Sequence, residues 1–266
     1  MIEETNKIPV SVVITVKNEE KNILGLMNSL MVQENPFEVI VIDSESTDRT
    51  LEILNSFKTN FDMKIISKKC TRGEGRNIGV KNSNYKFILF TDGDAVLDKN
   101  WIKEMRKSFL ENYDVIAGKT ITIGNEKFLN LERVELYFKN YDVTYPSCNL
   151  AYRKELFESL GGFDERFITA EDIDLNYRAL KSGAKFHYNE NAIVYNKARE
   201  NLVSFIKQAF WNGYGRKQLS KKHGSLWKNY SFKRIFTRKH LNFYGITRLI
   251  FAITGYLYAK ISLRDQ

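Results

Sequence analysis

Short apolar runs alternate with helical patterns over the first hundred residues, and this alternation constrains the fold more than any other feature. Four runs have the character of buried strands: 10–16, 39–42, 63–67 and 87–90. Three segments between them have apolar residues at helical spacing: 20–32, 50–57 and about 76–82. Continuous apolar strands that alternate with helices are typical of a parallel sheet covered on both faces. The sequence therefore predicts an α/β fold with a mostly parallel sheet flanked by helices.

Three of the predicted strands end in clusters of polar residues. The clusters are Lys17-Asn18-Glu19-Glu20, Asp43-Ser44-Glu45-Ser46-Thr47-Asp48 and Thr91-Asp92-Gly93-Asp94. Ligands bind beyond the carboxyl ends of the strands in such sheets. One cluster would be an ordinary set of turn and cap residues. Three on one rim indicate a ligand whose base and ribose need hydrogen-bond acceptors and whose phosphates need a metal.

The segment Asp92-Gly93-Asp94 is the sharpest of these features. Two carboxylates one residue apart, with a glycine that allows close approach, suit Mg²⁺ or Mn²⁺ bridging two phosphates. A diphosphate leaving group needs such charge neutralisation. The same three residues also occur in plain turns and after a buried strand in phosphatases of the haloacid dehalogenase type, so on its own the motif leaves those alternatives open.

The distribution of charge divides the chain in two. Of the 41 Lys and Arg residues, 13 lie between Asn201 and Arg264, a stretch without Asp or Glu. Residues 1–200 are therefore a near-neutral body, and 201–266 are a basic, aromatic-rich segment that we expect to be helical. This asymmetry indicates that the basic segment binds a polyanionic surface, either nucleic acid or anionic lipid. The apolar stretch Leu249–Ala259 is about half of a membrane span, so it fits a buried helix and an interfacial helix equally.

Composition adds the broad class. A chain of 266 residues with 43% apolar content is able to bury a substantial core. The two cysteines are far apart, and the N-terminus lacks the pattern of a signal peptide, so we expect reduced thiols in a cytoplasmic protein. The histidines at 187, 223 and 240 lack ligand spacing and receive no role.

An ordered set of motifs over about residues 8–200 resembles the family 2 inverting glycosyltransferases of the GT-A fold. The motifs are P-V-S-V-V-I-T-V-K-N-E-E, V-I-V-I-D-S-E-S-T-D-R-T, R-N-I-G, F-I-L-F-T-D-G-D, S-C-N-L-A-Y-R-K-E-L-F and L-G-G-F-D-E-R-F-I-T-A-E-D-I-D-L. The resemblance implies a GT-A, Rossmann-like domain over 1–200, followed by the basic segment 201–266. It also implies transfer of a sugar from a nucleotide-diphosphate sugar.

The resemblance assigns roles to the rim residues. It implies that Asp43 recognises the nucleotide base and that Asn18 and Glu19 belong to the loop around base and ribose. It places Arg76 near the nucleotide. It also implies that Asp92 and Asp94 hold the ribose-diphosphate and a divalent metal, Mn²⁺ or Mg²⁺.

The resemblance further implies a catalytic base. Asp172, next to Glu171, corresponds to the carboxylate that deprotonates the acceptor hydroxyl, which a partly desolvated carboxylate is able to do. The alternative is an acidic helix start in which Asp174 pairs with Arg178.

The sequence departs from the family pattern downstream of the base. Asn196 stands where many relatives have a metal-binding histidine. Gly213-Tyr214-Gly215-Arg216 resembles the segment of non-processive members, and Arg216 and Asn149 are candidates for contacts with the acceptor or its phosphate.

The expected function is transfer from a UDP- or GDP-linked donor to a glycan or polyprenyl-linked acceptor. We expect it at the inner face of the cell membrane, on anionic lipid, in the synthesis of cell-envelope polysaccharide and without a nucleic-acid partner. Two alternatives remain at this point: a haloacid-dehalogenase-type phosphatase using Asp92 and Asp94, and a non-enzymatic basic protein that binds nucleic acid.

Overall fold

The structure is a computed structural model that describes residues 8–124, 133–197, 201–230 and 242–263. Its first elements are β1 (Val10–Val16), α1 (Ile23–Met31), β2 (Phe37–Asp43), α2 (Thr50–Ser56), β3 (Asp62–Ser67), α3 (Arg72–Lys81), β4 (Phe87–Asp92), β5 (Ala95–Leu97), α4 (Trp101–Leu110) and β6 (Val115–Ile123). There follow β7 (Tyr137–Phe138), β8 (Tyr141–Asp142), β9 (Leu150–Arg153), α5 (Lys154–Ser159), α6 (Glu171–Ser182), β10 (Phe186–Lys197), α7 (Leu202–His223) and α8 (Phe243–Ser262).

The main sheet has the strand order β3-β2-β1-β4-β9-β6-β10-β5. Its first four strands are parallel, with β1 in the centre between β2 and β4. From β4 onward the sheet continues through antiparallel pairings of β9 with β4 and β6, and of β10 with β5. The predicted α/β fold is confirmed, and the antiparallel half is the part that the apolar runs did not indicate.

The parallel strands are buried on both faces, as their continuous apolar runs predict. Along β1, Val12 and Ile14 face one core cluster and Val13 faces the other side, and all three are fully buried. The first cluster includes Leu26 and Met27 of α1 together with side chains of α4. Burial of one large aliphatic side chain contributes about 1.5–3 kcal/mol, so this core fixes the positions of the strand ends.

The register of the parallel strands brings the three polar clusters together. Val16 at the end of β1 pairs with Asp43 of β2, and Thr15 pairs with Asp92 of β4. The loops that follow β1, β2 and β4 therefore leave the same edge of the sheet from three adjacent strands. This is the rim that the sequence predicted.

The chain forms two compact units whose segments are interleaved along the sequence. The described residues of the first lie in 8–121, 145–163 and 178–196. Those of the second lie in 122–144, 164–177, 197, 201–230 and 242–263, and they include α7 and α8. The predicted division at residue 200 stays a prediction, whereas the helical character of the basic segment is confirmed by α7 and α8.

In the second unit, α7 and α8 pack closely through glycines. A Cβ atom on Gly213 would lie 1.8 Å from the carbonyl oxygen of Ala252, and one on Gly255 would lie 1.9 Å from that of Phe210. Only glycine allows this backbone approach at both positions. Within the described ranges, no helix combines the length and apolarity that crossing a membrane requires.

Candidate active site

The loop after β1 is bound to the loop after β2 by its backbone and by Asn18. The Asn18 backbone N–H donates to Ser46 Oγ at 2.9 Å, and Asn18 Oδ1 accepts from the Thr47 N–H at 2.8 Å. The Glu19 N–H donates to Thr50 Oγ1 at 2.7 Å. Asn18 has φ = 56°, a left-handed conformation that asparagine tolerates better than most residues. The two predicted nucleotide loops therefore form one connected frame.

Asp43 closes the end of β2 as a fully buried carboxylate. It accepts from the Ser46 N–H at 3.1 Å and from Ser67 Oγ at 3.0 Å. An ionised carboxylate has about four lone-pair positions. These two donors fix its orientation and leave further capacity to accept.

Arg76 and Asp92 form an ion pair at the centre of the rim. Arg76 Nη2 donates to Asp92 Oδ1 at 2.7 Å; the Arg76 side chain is 1% exposed and that of Asp92 is 22% exposed. The Arg76 guanidinium also lies over the ring of Phe163, 5.5 Å from its centroid. Gly79, three residues on, would place a Cβ 2.3 Å from Val13 Cγ1. Helix α3 therefore packs directly on β1, and this holds Arg76 beside Asp92.

Asn77 joins the R-N-I-G segment to the Gly-Gly-Phe turn. Its Nδ2 donates to the Phe163 carbonyl at 2.9 Å, and its Oδ1 accepts from the Phe163 N–H at 2.8 Å. Gly162 has φ = 69°, and a Cβ there would lie 2.5 Å from Asn77 Oδ1. The two motifs thus form one structural unit under Arg76.

The carboxyl groups of Glu19 and Asp94 lie near Asp92, the partner of Arg76. Burial raises the pKa of Glu19, a hydrogen bond from Asn22 partly offsets this, and the charges of Asp94 and Asp92 raise it further. Gly93 admits no side chain, because a Cβ there would lie 2.8 Å from Val16 Cγ1 and 3.1 Å from Glu19 Cγ. Clustered negative charge around a tight backbone turn fits a cation.

The oxygen atoms of the rim determine whether a divalent metal fits there. In the part of the chain that the structure describes, no three His, Cys, Asp or Glu side chains form a group able to hold a metal by themselves. Mg²⁺ is commonly bound by one or two carboxylates together with substrate phosphates. Asp92 and Asp94 fit this arrangement, in which the phosphates of the nucleotide sugar complete the metal site.

Asn196 adds an oxygen atom next to this cluster. It pairs with Ala95 across β10 and β5, and its Nδ2 lies 3.9 Å from Cys148 Sγ. Burial raises the pKa of Cys148, and the charges of Asp92 and Asp94 raise it further, so this thiol stays neutral. Asn196 Oδ1 is buried and has no hydrogen-bond partner among the described residues. A buried hydrogen-bond acceptor without a partner lowers the stability of the fold by about 1–3 kcal/mol. This atom is therefore suited to accept a hydrogen bond from a bound ligand or to bind a cation.

Asn149 is fully buried and is bound inside the first unit. Its Oδ1 accepts from Trp101 Nε1 at 2.8 Å, and its Nδ2 donates to the carbonyls of Lys119 at 3.0 Å and Ala192 at 2.9 Å. The predicted contact with an acceptor would require the surrounding backbone to open. These bonds give Asn149 a role in joining α4, β6 and β10.

Glu171 and Asp172 begin α6 in the second unit, after a strained residue. Ala170 has φ = 66°, which is uncommon for a residue with a Cβ and tends to occur at functional sites. Gly215 of α7 packs against this segment, since a Cβ there would lie 2.7 Å from the Thr169 carbonyl oxygen. Asp172 Oδ1 accepts from the Ile173 N–H at 2.8 Å, and Glu171 is 7% exposed.

No pattern in the sequence indicates the contacts of Asp174, which lies three residues after Glu171 in α6. It is fully buried and lies 2.7 Å from both Lys222 Nζ and His223 Nε2, at the end of α7. The His223 ring also packs against Tyr177 at 4.5 Å. These partners are 48 and 49 residues away, so no local spacing indicates them.

Arg216 of α7 also lies in the second unit. Its Nη2 donates to the Val134 carbonyl at 2.9 Å, and its guanidinium lies 5.3 Å from the ring centroid of Tyr230. Its Nη1 is buried and has no hydrogen-bond partner within the described ranges. One donor of this side chain is therefore available to an anion.

The predicted site residues divide between the two units. The first unit brings together Asn18, Glu19, Asp43, Arg76, Asp92 and Asp94, whereas Glu171, Asp172 and Arg216 belong to the second.

Comparison with known proteins gives matches to two family profiles and to curated relatives. The profile described as glycosyl transferase family 2 matches residues 11–161, and that of glycosyl transferase family group 2 matches 87–263. Glycosyltransferase AglE of Haloferax volcanii is 28% identical over 232 residues, which cover 81% of this chain and 75% of AglE. The chain spans 55% and 52% of the length of two bacterial curated relatives.

Two solved structures share the fold. Staphylococcus aureus TarS 1-349 in complex with UDP-GlcNAc is 21% identical, with a TM-score of 0.61 over 94% of this chain and 82% of that one. The mannosyltransferase PcManGT of Pyrobaculum calidifontis, in complex with GDP-Man and Mn²⁺, is 16% identical, with a TM-score of 0.65 over 96% of this chain and 78% of that one. At these identities the likeness supports the GT-A architecture.

Proposed function

Since this chain belongs to glycosyl transferase family 2 and is a nucleotide-sugar transferase, we propose that it transfers a sugar with inversion at the anomeric carbon. The proposed donor is UDP- or GDP-linked, and the proposed acceptor is a glycan or a polyprenyl-linked glycan of the cell envelope. The family match decides for sugar transfer over the phosphatase and the non-enzymatic alternatives.

The observation that carries the proposal is the Arg76–Asp92 pair beside the carboxyls of Glu19 and Asp94. In it, a fixed arginine orients one carboxylate of the rim. In the proposed complex, Asp43 accepts hydrogen bonds from the base, and the loop of Asn18 and Glu19 surrounds base and ribose. The complexes of TarS with UDP-GlcNAc and of PcManGT with GDP-Man support a nucleotide-sugar donor.

We propose that Asp92 and Asp94 hold a divalent metal, Mn²⁺ or Mg²⁺, together with the diphosphate. When bound, the metal would neutralise the negative charge that develops on the diphosphate as the glycosidic bond breaks. Support comes from the clustered carboxyls, from the glycine between them and from the Mn²⁺ in the PcManGT complex. Asn196 Oδ1 is proposed as a further oxygen for the metal or for a sugar hydroxyl, in place of a histidine.

Asp172 is the proposed base. It lies in the first turn of α6, where the partial positive charge of the helix N-terminus stabilises negative charge. The carboxylate would take the proton from the acceptor hydroxyl while its oxygen attacks the anomeric carbon from the face opposite the diphosphate. Glu171 is proposed to support this turn, and Gly215 to hold the strained residues before it.

The proposal for the acceptor side and for the location rests on Arg216, Asn149 and the basic segment 201–266. Arg216 is proposed to contact an acceptor phosphate through its available donor, and Asn149 to shape the sugar side through its buried bonds. The enzyme is proposed to work at the inner face of the cell membrane, on the strength of the basic segment 201–266.

The test is a screen of nucleotide sugars by thermal shift and by hydrolysis, with and without Mn²⁺. A ligand that binds the native state at 100 times its Kd adds about 2.7 kcal/mol of stability. We expect one UDP- or GDP-sugar to raise the melting temperature more with Mn²⁺ than without it. If no nucleotide sugar does so and none is hydrolysed, the proposed donor is wrong.

A further inference from the structure

One half of helix α8 carries an exposed apolar stripe. Six large side chains on it recur at spacings of three and four residues and are between 47% and 68% exposed: Phe243, Ile246, Ile250, Ile253, Leu257 and Ile261. At 100° per residue they fall within about a quarter of the helix circumference. A contiguous apolar patch of this kind marks an interaction surface.

The opposite half of α8 is already occupied by α7. Gly255 and Ala252 form the contact, and Ala259 is fully buried beside it. Small residues give a close helix crossing that buries Gly245, Gly255 and Ala259 on the inner half of α8. The six side chains of the stripe lie on the outer half and stay exposed among the described residues.

The net charge of the C-terminal part of the chain favours an anionic partner for the stripe. Between residues 201 and 264 the chain has 13 Lys and Arg and no Asp or Glu. Lys260 is exposed and lies close to the stripe on the helix surface. A second copy of the chain would bring a second set of like charges to the same contact. An anionic lipid surface instead provides both hydrocarbon for the stripe and negative charge for the basic residues.

We propose that the outer stripe of α8 lies in the headgroup region of a bilayer that contains anionic lipid, parallel to its plane. A helix of 20 residues is about 30 Å long, enough to place all six side chains in the bilayer at once. The inference rests on the membrane location given under the proposed function and names the surface that makes the contact. It does not depend on sugar transfer.

The test uses the full chain and vesicles of phosphatidylcholine with or without phosphatidylglycerol. We expect binding to the anionic vesicles at low salt that weakens as salt rises, because the charges are screened. The double variant Ile253→Glu/Leu257→Glu should lower the partition coefficient at least about tenfold. The matched control is Leu110→Glu, a side chain on α4 that is 53% exposed and should leave binding unchanged.

Two further measurements make the result specific. Thermal melting and nucleotide-sugar binding should be the same in the double variant and in the control, which separates loss of the membrane from loss of folding or of the donor site. The proposal is overturned if the wild type ignores anionic vesicles at low salt or if the double variant binds as well as the control. Sedimentation that shows a dimer in the wild type and a monomer in the double variant would assign the stripe to a second copy, and that too would overturn it.

Discussion

The guanidinium of Arg76 lies 2.7 Å from Asp92 Oδ1, so a buried arginine is the counter-ion of a rim carboxylate. The pair joins the helix that carries R-N-I-G to the strand that ends in Asp92. A fixed partner keeps this carboxylate oriented before any substrate binds.

We expect Asp92→Asn to lower the free energy of unfolding by about 1–3 kcal/mol, because it leaves the buried guanidinium without its counter-charge. It should also abolish the Mn²⁺-dependent part of donor binding. Denaturant unfolding and titration calorimetry measure the two effects. Asp62→Asn, an exposed carboxyl at the start of β3, is the control and should change neither. Unchanged Mn²⁺ dependence in Asp92→Asn would remove this residue from the metal site.

Asp172→Asn should reduce sugar transfer about 100-fold or more and leave the donor affinity close to that of the wild type. The substitution keeps the size of the side chain and removes its ability to take a proton. Steady-state kinetics and donor titration separate the two quantities. Glu155→Gln, an exposed acidic residue in the first turn of α5, serves as the control. Near-normal turnover in Asp172→Asn would contradict the base role. An acceptor that attacks through an ionised phosphate would give this result, because it needs no base.

Gly215→Ala should destabilise the chain by about 1–3 kcal/mol, because the added methyl group would lie 2.7 Å from the Thr169 carbonyl oxygen and 3.0 Å from Ala170 Cβ. Since this segment precedes Asp172, kcat should fall more than donor affinity. Gly25→Ala in α1 is the matched control, because its Cβ would meet only Val96 Cγ2, at an ordinary 3.5 Å. It should be neutral or stabilising. Equal effects of the two variants would contradict the close packing of α7 on this turn.

Asn196→His should strengthen Mn²⁺ binding in the presence of the donor nucleotide, because imidazole is a stronger ligand for this metal than a neutral amide oxygen. Asn196→Ala should weaken it. Calorimetry or the electron paramagnetic resonance of bound Mn²⁺ reports the change without reference to turnover. Asn191→His, an exposed position on the same strand, is the control. If all three variants bind Mn²⁺ alike, Asn196 is not next to the metal.

Asp164→Asn should destabilise the chain in a pH-dependent manner. Hydrogen bonds from Arg166, and then from Lys222, hold the pKa of Asp164 well below its usual value of 3.8. The ionised form therefore stabilises the native state above the unfolded pKa, and this contribution is lost as the pH falls below it. We expect a difference from the wild type of about 1 kcal/mol above about pH 5, shrinking below about pH 4. A difference that grows toward low pH would contradict the assignment.

The first turn of helix α3 was not predicted from the sequence. It begins at Arg72, about four residues before the predicted start, and Thr71 caps it by accepting from the Glu74 N–H. Gly73 and Gly75 lower the helix propensity of this turn, so the sequence there has the character of a loop. Gly75 is needed because its Cβ would lie 3.0 Å from Thr15 Cγ2. The packing of this turn on β1 therefore outweighs its low helix propensity.

The family motifs contain the rim residues, and the parallel register of β1, β2 and β4 brings the loops that carry them to one edge of the sheet. Two structural features could not be predicted from the sequence, for a common reason. The Asp174–His223 contact joins residues far apart in the chain. The sequence marked Asn196 only as the replacement of a histidine, whereas the structure shows that its Oδ1 is buried without a hydrogen-bond partner among the described residues. No periodicity or spacing encodes such pairs.

The sequence by itself determined the α/β alternation, the order of the motifs and the concentration of positive charge after residue 200, because these are properties of neighbouring residues. The tertiary structure alone decided that Arg76 faces Asp92, that Asn149 is bound internally and that the large side chains of α8 point outward. The physical reason is that the burial and the hydrogen bonds of a side chain depend on contacts between segments that are distant in the sequence. A side chain with its bonds satisfied inside the fold is structural, and one left with an available polar atom or an uncovered apolar surface is a candidate for function.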